Sequence, residues 1–133
     1  MPAREPPSLL GTAHFRVLIG RREVGIAEVG PLVSDGEPPA LVLRRALAGR
    51  ATELFDWRRK GDVRAVTIEQ LDAAGGAVVN AWRLVNARPL KWTGPSFNAA
   101  TNDVAIEELE LGYEELVWLE PESEGGTAGG RRT

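Results

Sequence analysis

The residues best suited to chemistry in this chain are the carboxylates Glu107, Glu108 and Glu110, then His14, the Gly75-Gly76 pair, the cationic run Arg58-Arg59-Lys60 and four tryptophans. Neighbouring carboxylates can share general acid and base work or hold a cation. In an extended chain, however, Glu108 and Glu110 fall on one side and Glu107 on the other, and no Asp-x-Asp-Gly loop accompanies them. Neither a glycosidase pair nor a calcium loop follows. His14 lies in an alternating strand-like run with no partner that would make it a general base, so it reads as a solvated or satisfied histidine. Gly75-Gly76 sits between two strand patterns and lacks the following helix that a phosphate-cradling loop needs. Arg58-Arg59-Lys60 falls at a helix C-terminus, where cations complement the helix dipole. Trp57, Trp82, Trp92 and Trp118 are dispersed over helix, strand and turn, as core or interface anchors are, and do not form a stacking platform for sugars or bases. With no cysteine, one tyrosine and four serines, two of them (Ser8 and Ser123) near the ends, the chain reads as a non-enzyme with no metal and no cofactor.

The elements that carry these residues are mostly strands. Phe15, Val17 and Ile19 alternate with His14, Arg16 and Leu18, predicting a first strand, and Gly20-Arg21-Arg22 a hairpin turn. Glu23 to Val29 then predicts a returning second strand. Residues 30–39, GPLVSDGEPP, are turn-forming residues and predict a surface loop. Leu41, Leu43 and Leu47 alternate with Val42 and Arg44 in a third strand. Thr52 can cap a short helix through about Lys60, with Glu53 and Asp56 at its positive end and Gly61 closing it. Leu54 and Trp57 share one face of that helix and Phe55 widens the stripe, so it can pack on a sheet. Val63 to Leu71 and Ala77 to Trp92 flank the five-residue loop 72–76, which predicts a central hairpin with glycine where positive φ is needed.

Length and composition bound the whole. A chain of 133 residues is a single domain by size. We expect a flexible, proline-rich arm over 1–10, a β domain over 11–119 and a disordered tail over 120–133. The absence of cysteine removes any need for an oxidising compartment, and no apolar run approaches the ~20 residues that span a bilayer. MPAREPPSLL has prolines and charges where a signal peptide places apolar residues, so cytoplasmic synthesis without membrane insertion is expected. The net charge of −3 conceals an asymmetry: residues 1–91 hold 14 Lys/Arg against 10 Asp/Glu, whereas 92–133 hold 2 against 9. Either neighbouring strands pair these charges within one subunit, or the acidic strand of one copy meets the basic segment of the next. A nucleic-acid-binding surface would need a basic excess that is lacking.

Residues 84–119 are the stretch around which the rest is organised. Leu84 to Trp92 can be extended, Pro89 can donate no ladder bond, and Thr93-Gly94-Pro95-Ser96 turns the chain. Val104 and Ile106 share one strand face, but Leu109 and Leu111 have the opposite parity. That switch predicts either a bulge near Glu107-Glu108 or partial cover on both faces.

The succession KWTGPSFNAATNDVAIEELELGYEEL resembles the C-terminal signature of the tail-tube proteins of contractile phages and related contractile injection systems. Its turn is Lys91, Trp92, Thr93, Gly94 and Pro95, and its strand carries Ala105, Ile106, Glu107, Leu109 and Leu111. Upstream, Phe15 to Gly20 with Val24-Gly25 resembles the family's first hairpin, and Leu54-Phe55-Asp56-Trp57 its short helix. The resemblance covers about residues 12 to 119.

The fold expected from pattern and resemblance together is a β-rich α+β domain, an antiparallel sandwich or barrel with one short helix. The resemblance implies assembly into a six-fold ring whose inner strands line a β-barrel channel, with rings stacking into the inner tube of a phage tail or injection particle. It implies as partners other copies of the chain, the sheath, baseplate or terminator proteins, and DNA or effectors as non-specific cargo. The family's arm at 30–39 is usually much longer, so an initiator, adaptor or terminator ring is an alternative, and a monomeric ligand-binding β-barrel a second. A conduit for polyanions should be neutral or acidic inside, which makes Glu108 and Glu110 the candidate lumen or interface charges.

Overall fold

The computed structural model describes residues 14–74, 76–101 and 104–120. Eight strands and one helix follow in chain order: β1 (His14–Ile19), β2 (Arg22–Val24), β3 (Glu28–Val29), β4 (Ala40–Ala46), α1 (Glu53–Lys60), β5 (Arg64–Leu71), β6 (Val78–Thr93), β7 (Ile106–Gly112) and β8 (Glu115–Trp118). The expectations for residues 1–10, for 121–133 and for Gly75 lie outside the described residues.

All pairings are antiparallel, in the order β2-β1-β5-β6-β7-β4-β3, with β8 also on β6. The 16-residue β6 is the spine. One of its edges carries β5 (Arg64↔Ala87 through Leu71↔Val78), and the other carries β7 along Arg88–Thr93 and β8 along Trp82–Val85. The sheet's two outermost strands, β2 and β3, are consecutive in sequence. From Val24 to Glu28 is four residues, at most about 14 Å of chain, so the two ends of the strand order must approach each other. The Ala27 N–H donates to the Arg44 carbonyl at 2.9 Å, stitching that link to β4. The sheet therefore rolls around one core, as the β-sandwich or barrel expectation required.

That core is filled from every strand that alternates: Val17 and Ile19, Leu41 and Leu43, Val66 and Ile68, Leu84 and Ala87, Leu109 and Leu111. The helix adds Leu54 and Trp57, both fully buried. Gly61 ends it at φ 74°, a left-handed conformation that glycine adopts without steric cost, and its N–H donates to the Trp57 carbonyl at 2.7 Å. Thr52 starts the helix but makes no side-chain cap to the backbone. Its hydroxyl donates instead to the Asp56 carboxylate at 2.8 Å.

Several expectations are corrected. The second strand is not continuous over 23–29: β2 stays with β1, whereas β3 crosses to β4. Gly76, in the loop after β5, is not in the positive-φ region. The third strand ends at Ala46, and its inward face is completed by Arg45 in place of Leu47. No bulge lies at Glu107-Glu108, because β7 pairs with β4 in unbroken register from Ala46↔Ile106 to Ala40↔Gly112. The irregularity is on β6, where Leu90 is the extra residue between Pro89↔Leu111 and Lys91↔Glu110. The parity switch has a simpler cause. Glu107, Leu109 and Leu111 face the core, and Ile106 and Val104 are exposed apolar residues on the outside. A second break marks the middle of β6, where Asn86 takes φ 54° and its amide donates to the Glu114 carboxylate at 2.9 Å. There β7 ends and β8 begins.

The turn after β6 depends on close approach and not on positive φ. Gly94 is not left-handed; a Cβ there would lie 2.7 Å from Cη2 of the Trp92 indole, which folds back over it. Gly94→Ala should therefore displace that indole and lower stability by about 1.5–3 kcal/mol, the scale of one hydrogen bond to a charged group. The measurement is a double-mutant cycle with Trp92→Phe by chemical denaturation. The Gly94 penalty should shrink markedly in the Phe background.

Candidate assembly site

The signature turn and strand are joined by a buried polar chain. Glu107, fully buried, accepts 2.7 Å from the Trp92 indole N–H at one oxygen and 2.8 Å from Arg45 Nε at the other. Arg45, 11% exposed at its side chain, is the direct cross-strand neighbour of Glu107. Its Nη2 stands 2.8 Å from Glu107 and 3.0 Å from Glu53 on the helix, in ion-pair range of both but outside hydrogen-bond geometry. The Trp92 ring meets the Phe55 ring edge to face, with centroids 5.0 Å apart. Strands β4, β6 and β7 and the helix are thus tied to one carboxylate. A buried charge left unpaired is strongly destabilising, so these side chains stand or fall together.

The predicted site residues divide by face. Trp92, Glu107, Leu109 and Leu111 point inward; Lys91, Thr93 and Ile106 are exposed. The Ala105 carbonyl accepts from the Leu47 N–H at 2.9 Å, carrying the β4–β7 pairing one step past Ile106. Among the helix residues Leu54 and Trp57 are buried, and Phe55, 42% exposed, serves the turn through Trp92. Glu108 and Glu110 share the outer face of β7 as expected, but they differ: Arg44 Nε donates to Glu108 at 2.7 Å and also reaches Glu28, while Glu110 has no ion pair among the described residues. Arg44 is raised above the usual guanidinium value by its hydrogen bond to Glu108. The basic and acidic halves of the sequence therefore meet inside one subunit at Arg44–Glu108 and Arg45–Glu107. Arg45 was missed by sequence reading, although two-residue spacing from Leu41 and Leu43 places it on the inner face.

The carboxyls of Glu53 and Asp62 lie below their ordinary values. Glu53 is held down first by the backbone N–H of its own residue at the helix start and then by Arg45. Asp62 is held down by its hydrogen bond from Arg64. Among the described residues no group of His, Asp and Glu could hold a metal ion, and no helix is long and apolar enough to cross a membrane.

Compared with known families, residues 34–117 match the model of the T4-like virus tail tube protein gp19. The chain belongs to that tail-tube family. The match spans Arg45, Trp92 and Glu107, and the resemblance to the tail-tube family is borne out. No curated protein matches by sequence. Among solved structures, a chain of the sheath-tube complex of the extracellular contractile injection system PVC, in its extended state, is similar at 25% identity and TM-score 0.70, with 80% of this chain and 88% of that one covered. A chain of the PVC sheath/tube terminator is similar at 25% identity and TM-score 0.71, covering 80% and 94%. The fold, at 10% identity and TM-score 0.61, is also that of Hcp1 from Flavobacterium johnsoniae, covering 79% and 94%. As a tail-tube family member the chain is a structural component of a contractile tail or injection apparatus.

Glu107→Ala should cost about 3–5 kcal/mol by leaving Arg45 charged and buried, and joint Arg45→Met with Glu107→Leu should recover most of it, because apolar residues of similar volume need no desolvation. Denaturant titration of the single and double variants checks both. Acid should act through Glu53 and Asp62. Their folded-state values are depressed, so their contribution is present above the ordinary carboxyl values of 4.5 and 3.8 and is lost as pH falls through the lower folded ones. Melting temperature followed from neutral into acid should drop below about pH 4.5, and Glu53→Gln should remove a small part of that drop, the group being 43% exposed.

Proposed function

We propose that this chain forms the inner tube of a contractile tail or phage-like injection particle, assembling with copies of itself into a six-fold ring that conducts DNA or effectors. The observation that carries the proposal is the family match over 34–117, which spans both strands of the signature and the helix locked to them. Ring assembly also answers a physical need. Among the described residues the outer edge of β8 and the short edge strands β2 and β3 have no further strand beside them, and a solved relative in the fold comes from a baseplate described as 6-fold symmetrised. Sheath, baseplate and terminator proteins are the expected neighbours, on the likeness to sheath-tube and terminator chains. In this role the subunit is passive and needs neither cofactor nor catalysis. Glu108 and Glu110, on the outer face of β7, remain the proposed lumen or interface charges, with Glu110 the one not already held by a cation. The monomeric ligand-binding barrel loses ground, since Leu43, Leu54, Trp57, Leu84, Leu109 and Leu111 occupy the interior such a barrel would leave open.

A terminal or adaptor ring is the second reading, and one observation favours it. The short segment 30–39 is folded onto its own subunit. Tyr113 Oη donates to the Val33 carbonyl at 3.0 Å, the Tyr113 N–H to the Pro39 carbonyl at 3.4 Å, and the Gly30 N–H to the Val42 carbonyl at 2.8 Å. A segment held this way does not reach a neighbouring ring. The test is light scattering and electron microscopy of the full chain. Rings with the mass of about six subunits are expected; extended tubes would mark a propagating subunit and isolated rings a terminal one. A strictly monomeric protein at high concentration and low salt overturns the proposal.

A further inference from the structure

The cross-strand ion pairs leave two hollows of opposite charge. The first is a groove of about 590 Å³ between α1 and β2, where Arg22, Arg59 and Lys60 are exposed and make no ion pair among the described residues. A fourth base on its wall, Arg64, is held by Asp62 at 2.7 Å and lies over the Trp57 ring at 5.2 Å. Of the groove's two acids, Glu53 is paired with Arg45, and Asp56 keeps its charge while accepting from the Thr52 hydroxyl, so the bases outnumber the acids four to two. The second hollow, of about 470 Å³, lies between the loop before β4 and the β7–β8 junction. Among the described residues its lining holds Asp35, Glu37, Glu114 and Glu115 and no base, and all four are exposed. The two hollows flank the middle of β6 on its opposite edges: Arg64 pairs with Ala87 on the β5 side, and Glu115 with Val85 on the β8 side.

We infer that the basic groove of α1 and β2 is a docking site for a second copy of this chain, and that the part of the second copy it takes is the acidic corner formed by Asp35, Glu37, Glu114 and Glu115. The argument is charge complementarity between two surfaces of one molecule, the acids of the corner standing exposed at its rim. An interface joining two different surfaces of the same chain is head-to-tail, and such interfaces close into rings or run on into filaments. Opposite potentials on the two faces steer the encounter, and like-charge juxtaposition rejects the head-to-head arrangement. The dipole of α1 accounts for cations near its C-terminus, but not for Arg22 on a different element turned into the same groove. Arg22 and Lys60 act on Glu53 and Asp62 only at longer range and form no contact ion pair among the described residues, whereas Glu107 and Glu108 are held in such pairs. This inference rests on the proposal that the copies assemble, and adds which surfaces meet.

The test reverses one hollow at a time in the full chain. Arg59→Glu with Lys60→Glu makes both hollows acidic, and Asp35→Asn with Glu37→Lys and Glu115→Lys makes both basic while leaving Glu114 on the Asn86 amide. All five positions are exposed, so each variant should melt close to the parent. Each alone is expected to lose the assembled species in light scattering at low salt, and an equimolar mixture to regain it with the two variants alternating. One chain carrying all five changes should assemble by itself. If the parent assembles and either charge-reversed variant assembles equally well, or if mixing restores nothing, the inference is overturned while ring assembly stands. Loss of binding to short duplex DNA without any loss of assembly also overturns it, and identifies the groove as a polyanion contact. A parent that never assembles overturns the functional proposal itself.

Discussion

The buried carboxylate of Glu107 is the constraint on which the rest of the structure depends. A charge with no exposure is tolerable only when its partners are fixed, and Glu107 draws them from separate elements: Arg45 from β4 and the Trp92 indole from the end of β6. Each partner then has a further obligation. Arg45 reaches Glu53, which fixes the start of the helix, and Trp92 folds over Gly94 and meets Phe55, which fixes the turn. An all-apolar core could match or exceed this arrangement in stability. What the ionic arrangement adds is register, because sliding β7 by one residue against β4 would take Glu107 away from Arg45 and reverse which side chains face the core.

Register matters for a protein whose work is done at its surface. With β7 locked, Glu108 and Glu110 are displayed on one outer face and the β7–β8 junction is set opposite Asn86. With the helix locked, its cationic end lies beside β2. The interior of the subunit thus fixes where its surface charges stand. Of the residues that carry the resemblance, Trp92, Gly94 and Glu107 belong to this network and Leu109 and Leu111 to the core beside it, whereas Lys91, Thr93 and Ile106 are exposed.

Much of the fold was legible because local rules and the tertiary structure agree. Alternation identified β1, β4, β5 and β6, and Gly61 with the acidic and basic turns of α1 identified the helix. Errors came where the deciding interaction was long-range. Residues 23–29 read as one strand, because nothing local says that Ile26 and Ala27 cross from one sheet edge to the other. The opposite parity of Val104 and Ile106 against Leu109 and Leu111 left a bulge at Glu107-Glu108 or cover on both faces open; the strand is an intact pattern, with Glu107 on the core face and Arg45 opposite. Thr93-Gly94-Pro95-Ser96 read as a turn, but what Gly94 supplies there is space for an indole, visible only once Trp92 is placed. At the candidate site the split of charge along the sequence was legible, but which charges are consumed inside the subunit depends on strand pairing.

The indole N–H of Trp92 reports this account most directly, by hydrogen exchange resolved on the tryptophan side chains. Held by Glu107 beneath the turn, it should exchange far more slowly than that of Trp118, which is 64% exposed and only weakly held by Asn80 at 3.3 Å, and Glu107→Gln should speed it. If Trp92 and Trp118 exchange at the same rate, the carboxylate does not hold the turn, and the subunit is organised by something else.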